Sequence, residues 1–237
     1  MSSSHLQLTS NPIVAPQHVH DLLGKLHQLS LDQEKDISAQ RLRQKAGFDD
    51  LMRNKFIALD QDKCWFVYQT CLSIKAKNVI EAGTSYGVST IYLSLAVNQS
   101  LKLQGLQSTK ENGKVIATEN EPEKMEQSQK YWKECGEEVS DLIELRKGDL
   151  RETLSKDLPE KVDSLLLDIW SPLALPTLKI VQPNLRPGSV VITDNIVGSA
   201  DRYKDLIEYL NDDNNGFRNI TIPYDKGLGV SVYLGKQ

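Results

Sequence analysis

The sequence predicts an α/β fold: a seven-stranded, mostly parallel sheet with helices on both faces, an antiparallel last strand and a helical cap at the N-terminus. Three observations predict it. From Asn78 onward, short apolar runs alternate with helix-like stretches. The run Val79-Ile80-Glu81-Ala82 passes directly into Gly83-Thr84-Ser85-Tyr86-Gly87 and a helix start, the manner in which such sheets end a strand beneath a ligand. The last two apolar runs are joined only by Pro223-Tyr224-Asp225-Lys226-Gly227, too short for a crossover helix, so they pair as a hairpin.

Taken in order, residues 1–14 are expected to be a flexible tail, 15–75 a helical cap and 76–237 a ligand-binding α/β domain that forms a single compact domain with the cap. Val19, Leu22, Leu23, Leu26 and Leu29 recur at helical spacing, which predicts an amphipathic helix over 16–29. Its apolar face is free to cover a cleft or a second copy of the chain in a homodimer. A more polar helix is expected from Leu31 to about Gln44, and a third from about Asp60 to Ile74, with Trp65, Val67, Tyr68, Cys71 and Leu72 available for packing. Strands follow at Val79–Ala82, Lys114–Thr118, Leu142–Leu145, Ser164–Leu167 and Ser189–Thr193, then at 217–222 and 228–234. Helices are expected at Val88–Val97, Pro122–Cys135, 150–157, Pro172–Val181 and 201–210, Pro122 suiting a first helical turn. The polar segment Asn98–Gly113 reads as a surface loop.

A chain of 237 residues has room for one large α/β core, and its formal net charge of -4 argues against a general nucleic-acid binder. No apolar run approaches the roughly 18 residues of a membrane span. Met1-Ser2-Ser3-Ser4-His5 has no apolar signal core, and the first arginine, Arg41, comes too late for an Arg-rich presequence. Cys64, Cys71 and Cys135 lack metal spacing and read as small core residues in a reducing compartment, the cytoplasm.

Ligands of open parallel sheets sit outside the carboxyl ends of the strands. Here each of the first five strands delivers an acid to that edge: Glu81, Glu119, Asp149 just past Gly148, Asp168 and Asp194, the last followed by Asn195. Such an edge suits ribose hydroxyls, a cationic ligand or a metal. Glu119 suits a diol; Asp149 suits either an adenine-side acceptor or a helix cap; Glu121 suits a cap after Pro122. Asp168, Asp194 and Asn195 offer two carboxylates and an amide oxygen on neighbouring strands, a hard oxygen set suited to Mg²⁺ or another divalent cation.

At these residues the chain resembles the S-adenosylmethionine-dependent O-methyltransferases of the catechol O-methyltransferase type, with their Rossmann-like fold and reversed last strand. The resemblance runs from about Ile57 to Leu234 through Val79–Thr90, Ala117–Pro122, Gly148-Asp149, Leu167-Asp168-Ile169-Trp170, Leu185-Arg186-Pro187-Gly188 and Thr193-Asp194-Asn195. It implies S-adenosylmethionine as cofactor, with Leu59, Glu81, Gly83, Tyr86, Gly87 and Ser89 on its methionine side, Glu119 and Asn120 at the ribose, and Asp149 and Leu150 at the adenine. It implies Asp168, Asp194 and Asn195 as ligands of a divalent metal that activates the acceptor, with Asp168 also the catalytic residue and a cofactor contact. The acceptor would be a small hydroxylated molecule, phenolic or otherwise, walled by Trp170 and Ser171. The family's lysine base is replaced by Ser171, followed by Pro172, so either the metal alone or another base (His18, His20, His27 or Lys55) serves, or the acceptor is not a catechol. Metal-free methyl transfer, a cofactor-binding protein without catalysis and a nucleotide-linked dehydrogenase are the competing readings; the G-x-x-x-G spacing of the loop counts against the last.

Overall fold

The computed structural model describes residues 10–41 and 55–235, the side chains of 36–41 excepted. Helix α1 spans Gln17–Arg41 and α2 spans Gln61–Ser73. The α/β part then runs β1 (Asn78–Ala82), α3 (Val88–Leu103), β2 (Lys114–Glu119), α4 (Pro122–Cys135), α5 (Glu137–Ser140), β3 (Ile143–Lys147), α6 (Leu150–Thr153) and β4 (Val162–Leu167). It closes with α7 (Ser171–Val181), β5 (Leu185–Asp194), α8 (Lys204–Asn211), β6 (Phe217–Ile222) and β7 (Leu228–Tyr233).

The strands form one sheet of order β3-β2-β1-β4-β5-β7-β6. β1 through β5 pair in parallel, whereas β7 runs antiparallel to both β5 and β6. Thus only β7 is reversed, and Leu228 at its start lies opposite Asp194 at the end of β5. Successive strand residues point to opposite faces, which splits the core in two. Val79, Val115, Leu166 and Ile192 pack under α1, α2 and α3; Ile80, Ile116, Leu165 and Val191 pack under α7 and α8. The cap helices share the sheet's core, since Leu22, Leu26, Val67, Tyr68 and Cys71 are buried in the first of these clusters.

Several expected boundaries shift, each for a physical reason. α1 is one helix where two were expected, because Ser30-Leu31-Asp32 contains no glycine or proline to break it; residues 42–44 of the expected second helix lie outside the described residues. Of the expected tail, 1–9 also lies outside them, but Ile13 is buried and the Val14 amide donates to the Tyr68 hydroxyl (3.3 Å), so this end is docked. α3 continues through Leu103, into the segment expected to be a loop. There, Asn98 and Ser100 are buried, and Asn98 bonds to Glu138 and Ser108. β5 begins early, at Leu185, and its register against β4 shifts between Val162 and Ser164, where Pro187 and Gly188 are accommodated. α6 ends at Thr153 instead of 157, and α8 starts after Tyr203. Among the described residues no helix is long and apolar enough to cross a membrane.

Candidate active site

The glycine loop is built inward before it faces any ligand. Gly83 (φ +93°), Ser85 (φ +50°) and Gly87 (φ +77°) all lie in the left-handed region, so the turn requires its two glycines. A Cβ on Gly83 would run into the Asp168 carbonyl oxygen, and one on Gly87 into the Trp132 indole. The close approach that these glycines permit is therefore to the end of β4 and to α4. Trp132 Nε1 donates to the Gly87 carbonyl (3.0 Å), locking this contact.

Glu81 is likewise turned inward. It is fully buried, and its carboxylate accepts from Ser89 Oγ (2.6 Å), Thr90 Oγ1 (2.5 Å) and Thr84 Oγ1 (2.9 Å). Burial pushes its pKa up, against the pull of these hydroxyls. Glu81 thus staples the loop to the first turn of α3, whereas Leu59, Gly83, Tyr86 and Ser89 line a small hollow beside it together with Ile57, Ala58 and Asp168, a lining that Glu81 does not join. Gly87, expected among the cofactor contacts, lies outside that lining and serves as the N-cap of α3.

The hollow adjoins an open cleft of about 670 Å³ at the carboxyl ends of the strands. One wall carries Glu119, Asn120, Asp149, Leu150 and Arg151; the other carries Trp170, Ser171, Asn195, Ser199, Arg202 and Tyr203. Glu119 accepts from the backbone amides of Ser85 (2.7 Å), Asn120 (2.7 Å) and Glu121 (2.9 Å). Asp149 caps α6 through the Arg151 amide (2.8 Å) and pairs with the Arg151 guanidinium, which lowers its pKa to about 2. It therefore plays the cap role and still borders the cleft. Trp170 is 52% exposed, so the indole is a wall and not packing under α7.

Asp168 borders both hollow and cleft. Burial, then the Asp194 and Glu81 carboxylates, hold its pKa well above the ordinary aspartate range. Of the candidate bases, His27 is buried against Tyr92 (Nε2 to hydroxyl oxygen, 2.9 Å), and burial lowers its pKa to about 4. His18 and His20 lie on α1 outside the cleft lining, which Lys55 does join.

The expected metal set is not assembled as an open site. Lys63 Nζ lies 2.7 Å from Asp194 Oδ1 and 2.9 Å from Asp60 Oδ2, with the lysine side chain 1% exposed. Burial pulls the ammonium's pKa down, but the bonds to Asp194 and Asp60 outweigh it and keep the group charged. Asp194 Oδ2 accepts from Asn195 Nδ2 (2.6 Å), so the amide presents N–H here and not its oxygen. A divalent ion on the same carboxylate oxygen, about 4 Å from the ammonium, would meet a repulsion of roughly 8 kcal/mol at an effective dielectric of about 20. No group of three or more His, Cys, Asp or Glu suited to a metal occurs among the described residues. The residues as arranged do not fit a metal.

Lys63 escaped the sequence reading. Its available signal was position: Lys63, Val67 and Cys71 recur at helical spacing on one face, and Val67 and Cys71 are core residues. A lysine on a buried stripe needs a buried acid. Ile57, Ala58, Arg151, Arg202 and Tyr203 also line the site without any motif to announce them.

Residues 80–196 match a family model described as a methyltransferase domain. Similar solved structures include the O-methyltransferase TomG of Streptomyces achromogenes in complex with SAM, at 18% identity over 94% of this chain and 92% of that one, with a TM-score of 0.66. The SAH-bound methyltransferase PaMTH1 of Podospora anserina is 14% identical over 93% and 89%, with a TM-score of 0.65. An O-methyltransferase of Bacillus cereus in complex with SAH is 18% identical over 94% and 93%, with a TM-score of 0.61. At such identities the likeness is one of fold. No curated protein matches this chain by sequence. Strand order, the reversed β7 and the matched segment agree: residues 80–196 are similar to a methyltransferase domain, and the chain has the class I methyltransferase fold.

Proposed function

We propose that this chain is an S-adenosylmethionine-dependent O-methyltransferase acting on a hydroxyl of a small molecule. One arrangement carries the reading: Asp168 borders both the hollow under the glycine loop and the cleft walled by Trp170 and Tyr203. A cofactor seated against the loop and an acceptor in the cleft would meet at that carboxylate. The solved complexes of similar fold with SAM or SAH support this choice of cofactor.

The donor set fits the cofactor. Leu59, Gly83, Tyr86 and Ser89 would take its methionine end, near the first turn of α3, which no side chain caps. Glu119 uses three acceptor positions on backbone amides, leaving about one of roughly four for a ribose hydroxyl beside Asn120. Asp149, Leu150 and Arg151 would border the adenine. When bound, the cofactor supplies a methyl on a positively charged sulfur, and the acidic strand edge favours such a cation.

Ser171 cannot act as an amine base. In this reading Asp168, which borders both hollow and cleft, would take the acceptor's proton, and Trp170 offers a flat wall for an aromatic acceptor. Between the metal-assisted and metal-free versions, Lys63 at Asp194 favours the metal-free one. Calorimetry with S-adenosylhomocysteine, followed by transfer of labelled methyl to a panel of hydroxylated acceptors, tests the proposal. Absence of S-adenosylhomocysteine binding would overturn it.

A further inference from the structure

Granting the methyl-transfer reading, on which its catalytic consequence rests, we infer that the resident cation of the acidic strand edge is the Lys63 ammonium, which takes the place on Asp194 that a divalent metal would need. The chain then works without metal.

Three features carry this. First, both oxygens of Asp194 are already engaged: Oδ1 by Lys63 (2.7 Å) and Oδ2 by Asn195 Nδ2 (2.6 Å). Turning the Asn195 amide over to offer its oxygen would set two acceptors against each other at that distance, so the carboxylate itself fixes the orientation. Second, the ammonium is not a surface group able to swing aside. Its side chain is 1% exposed and also holds Asp60 at 2.9 Å, so letting go of Asp194 would strand a buried carboxylate. Third, ammonium and divalent ion compete at one oxygen: an ion on its remaining lone pair would lie about 4 Å from the buried ammonium and meet the repulsion of roughly 8 kcal/mol given above.

Lys63 is therefore a positioning residue. It fixes Asp194, and through Asn195 the floor of the cleft beside Asp168, with a single charge delivered by α2. Removing that charge leaves Asp60 and Asp194, its two partners, with no cation between them, and an added cation then meets no competing ammonium.

The test uses the full chain with Mn²⁺ as a spin probe, with and without S-adenosylhomocysteine. The free-ion signal of millimolar Mn²⁺ is expected to be undiminished by the wild type and by Lys63→Arg, which keeps the cation. Lys63→Met is expected to deplete that signal by binding the ion, and methyl transfer by the wild type is expected to be unchanged in EDTA. Saturable Mn²⁺ uptake by the wild type that disappears in Asp194→Asn would overturn the inference, as would loss of wild-type turnover in EDTA. If Lys63→Met does not fold, by circular dichroism, the wild-type and Lys63→Arg titrations still decide the matter. Calorimetry with S-adenosylhomocysteine in EDTA reports separately on the methyl-transfer reading, whose failure would leave the Mn²⁺ result standing.

Discussion

The backbone amide of Ser85 donates to Glu119 Oε2 over 2.7 Å, so the loop that ends β1 is fastened to the acid that ends β2. The other oxygen of Glu119 holds the chain as it turns into α4. Glu119→Gln puts an NH₂ group against one of these amide donors. Affinity for S-adenosylhomocysteine should fall about 10–100-fold, the loss of one charge-assisted bond. An unchanged Kd by calorimetry would remove Glu119 from the cofactor site.

Gly83→Ala should be destabilising whatever binds the cleft. The position holds φ +93°, and the new methyl meets the Asp168 carbonyl. A cost of about 3 kcal/mol or more is expected, a fall in Tm of roughly 6–12 °C for a chain of this size. Differential scanning calorimetry checks it; a shift under two degrees would mean that the loop tolerates a side chain.

Asp168→Asn should separate binding from chemistry. The amide keeps the shape between hollow and cleft but cannot take a proton. We expect kcat to fall about 10²–10⁴-fold with S-adenosylhomocysteine affinity held within threefold. Full turnover would show that the proton leaves by another route.

His27 gives a pH signature unrelated to catalysis. Burial lowers its pKa from 6.5 to about 4, so between these values the unfolded chain binds the proton and the folded chain does not. Stability from this group is therefore complete above pH 6.5 and is lost as pH falls toward 4, by at most about 2 kcal/mol between pH 7 and pH 5. His27→Leu, which replaces the ring and its bond to Tyr92, should flatten that part of the profile in urea melts. The same fall in the variant would assign the slope to carboxylates instead.

What could be read without coordinates followed local chemistry. Leu165-Leu166-Leu167 can only be a strand buried on both faces, and Pro122 marks the first turn of α4; both stand where expected. The continuity of α1 could not be read, because its second half is polar and nothing between the halves announces a break or its absence. At the site, the residue types were legible and their directions were not. Glu81 looked ligand-facing, yet its partners are Thr84, Ser89 and Thr90 of the same motif. Asp194 looked metal-facing, yet its partner is a lysine 131 residues away, beyond any pattern that spacing can express.

That separation bears on how the protein is made. A chain leaving the ribosome presents Lys63 long before β5 exists, so α2 must wait in water with its ammonium unpaired until Asp194 emerges. Burial of that lysine, and with it the seating of α2 on the sheet, closes one of the longest loops in the molecule. Seating of α2 and completion of the sheet are then a single late event: a nascent chain stalled before β5 holds most of its helices and lacks the carboxylate that anchors Lys63.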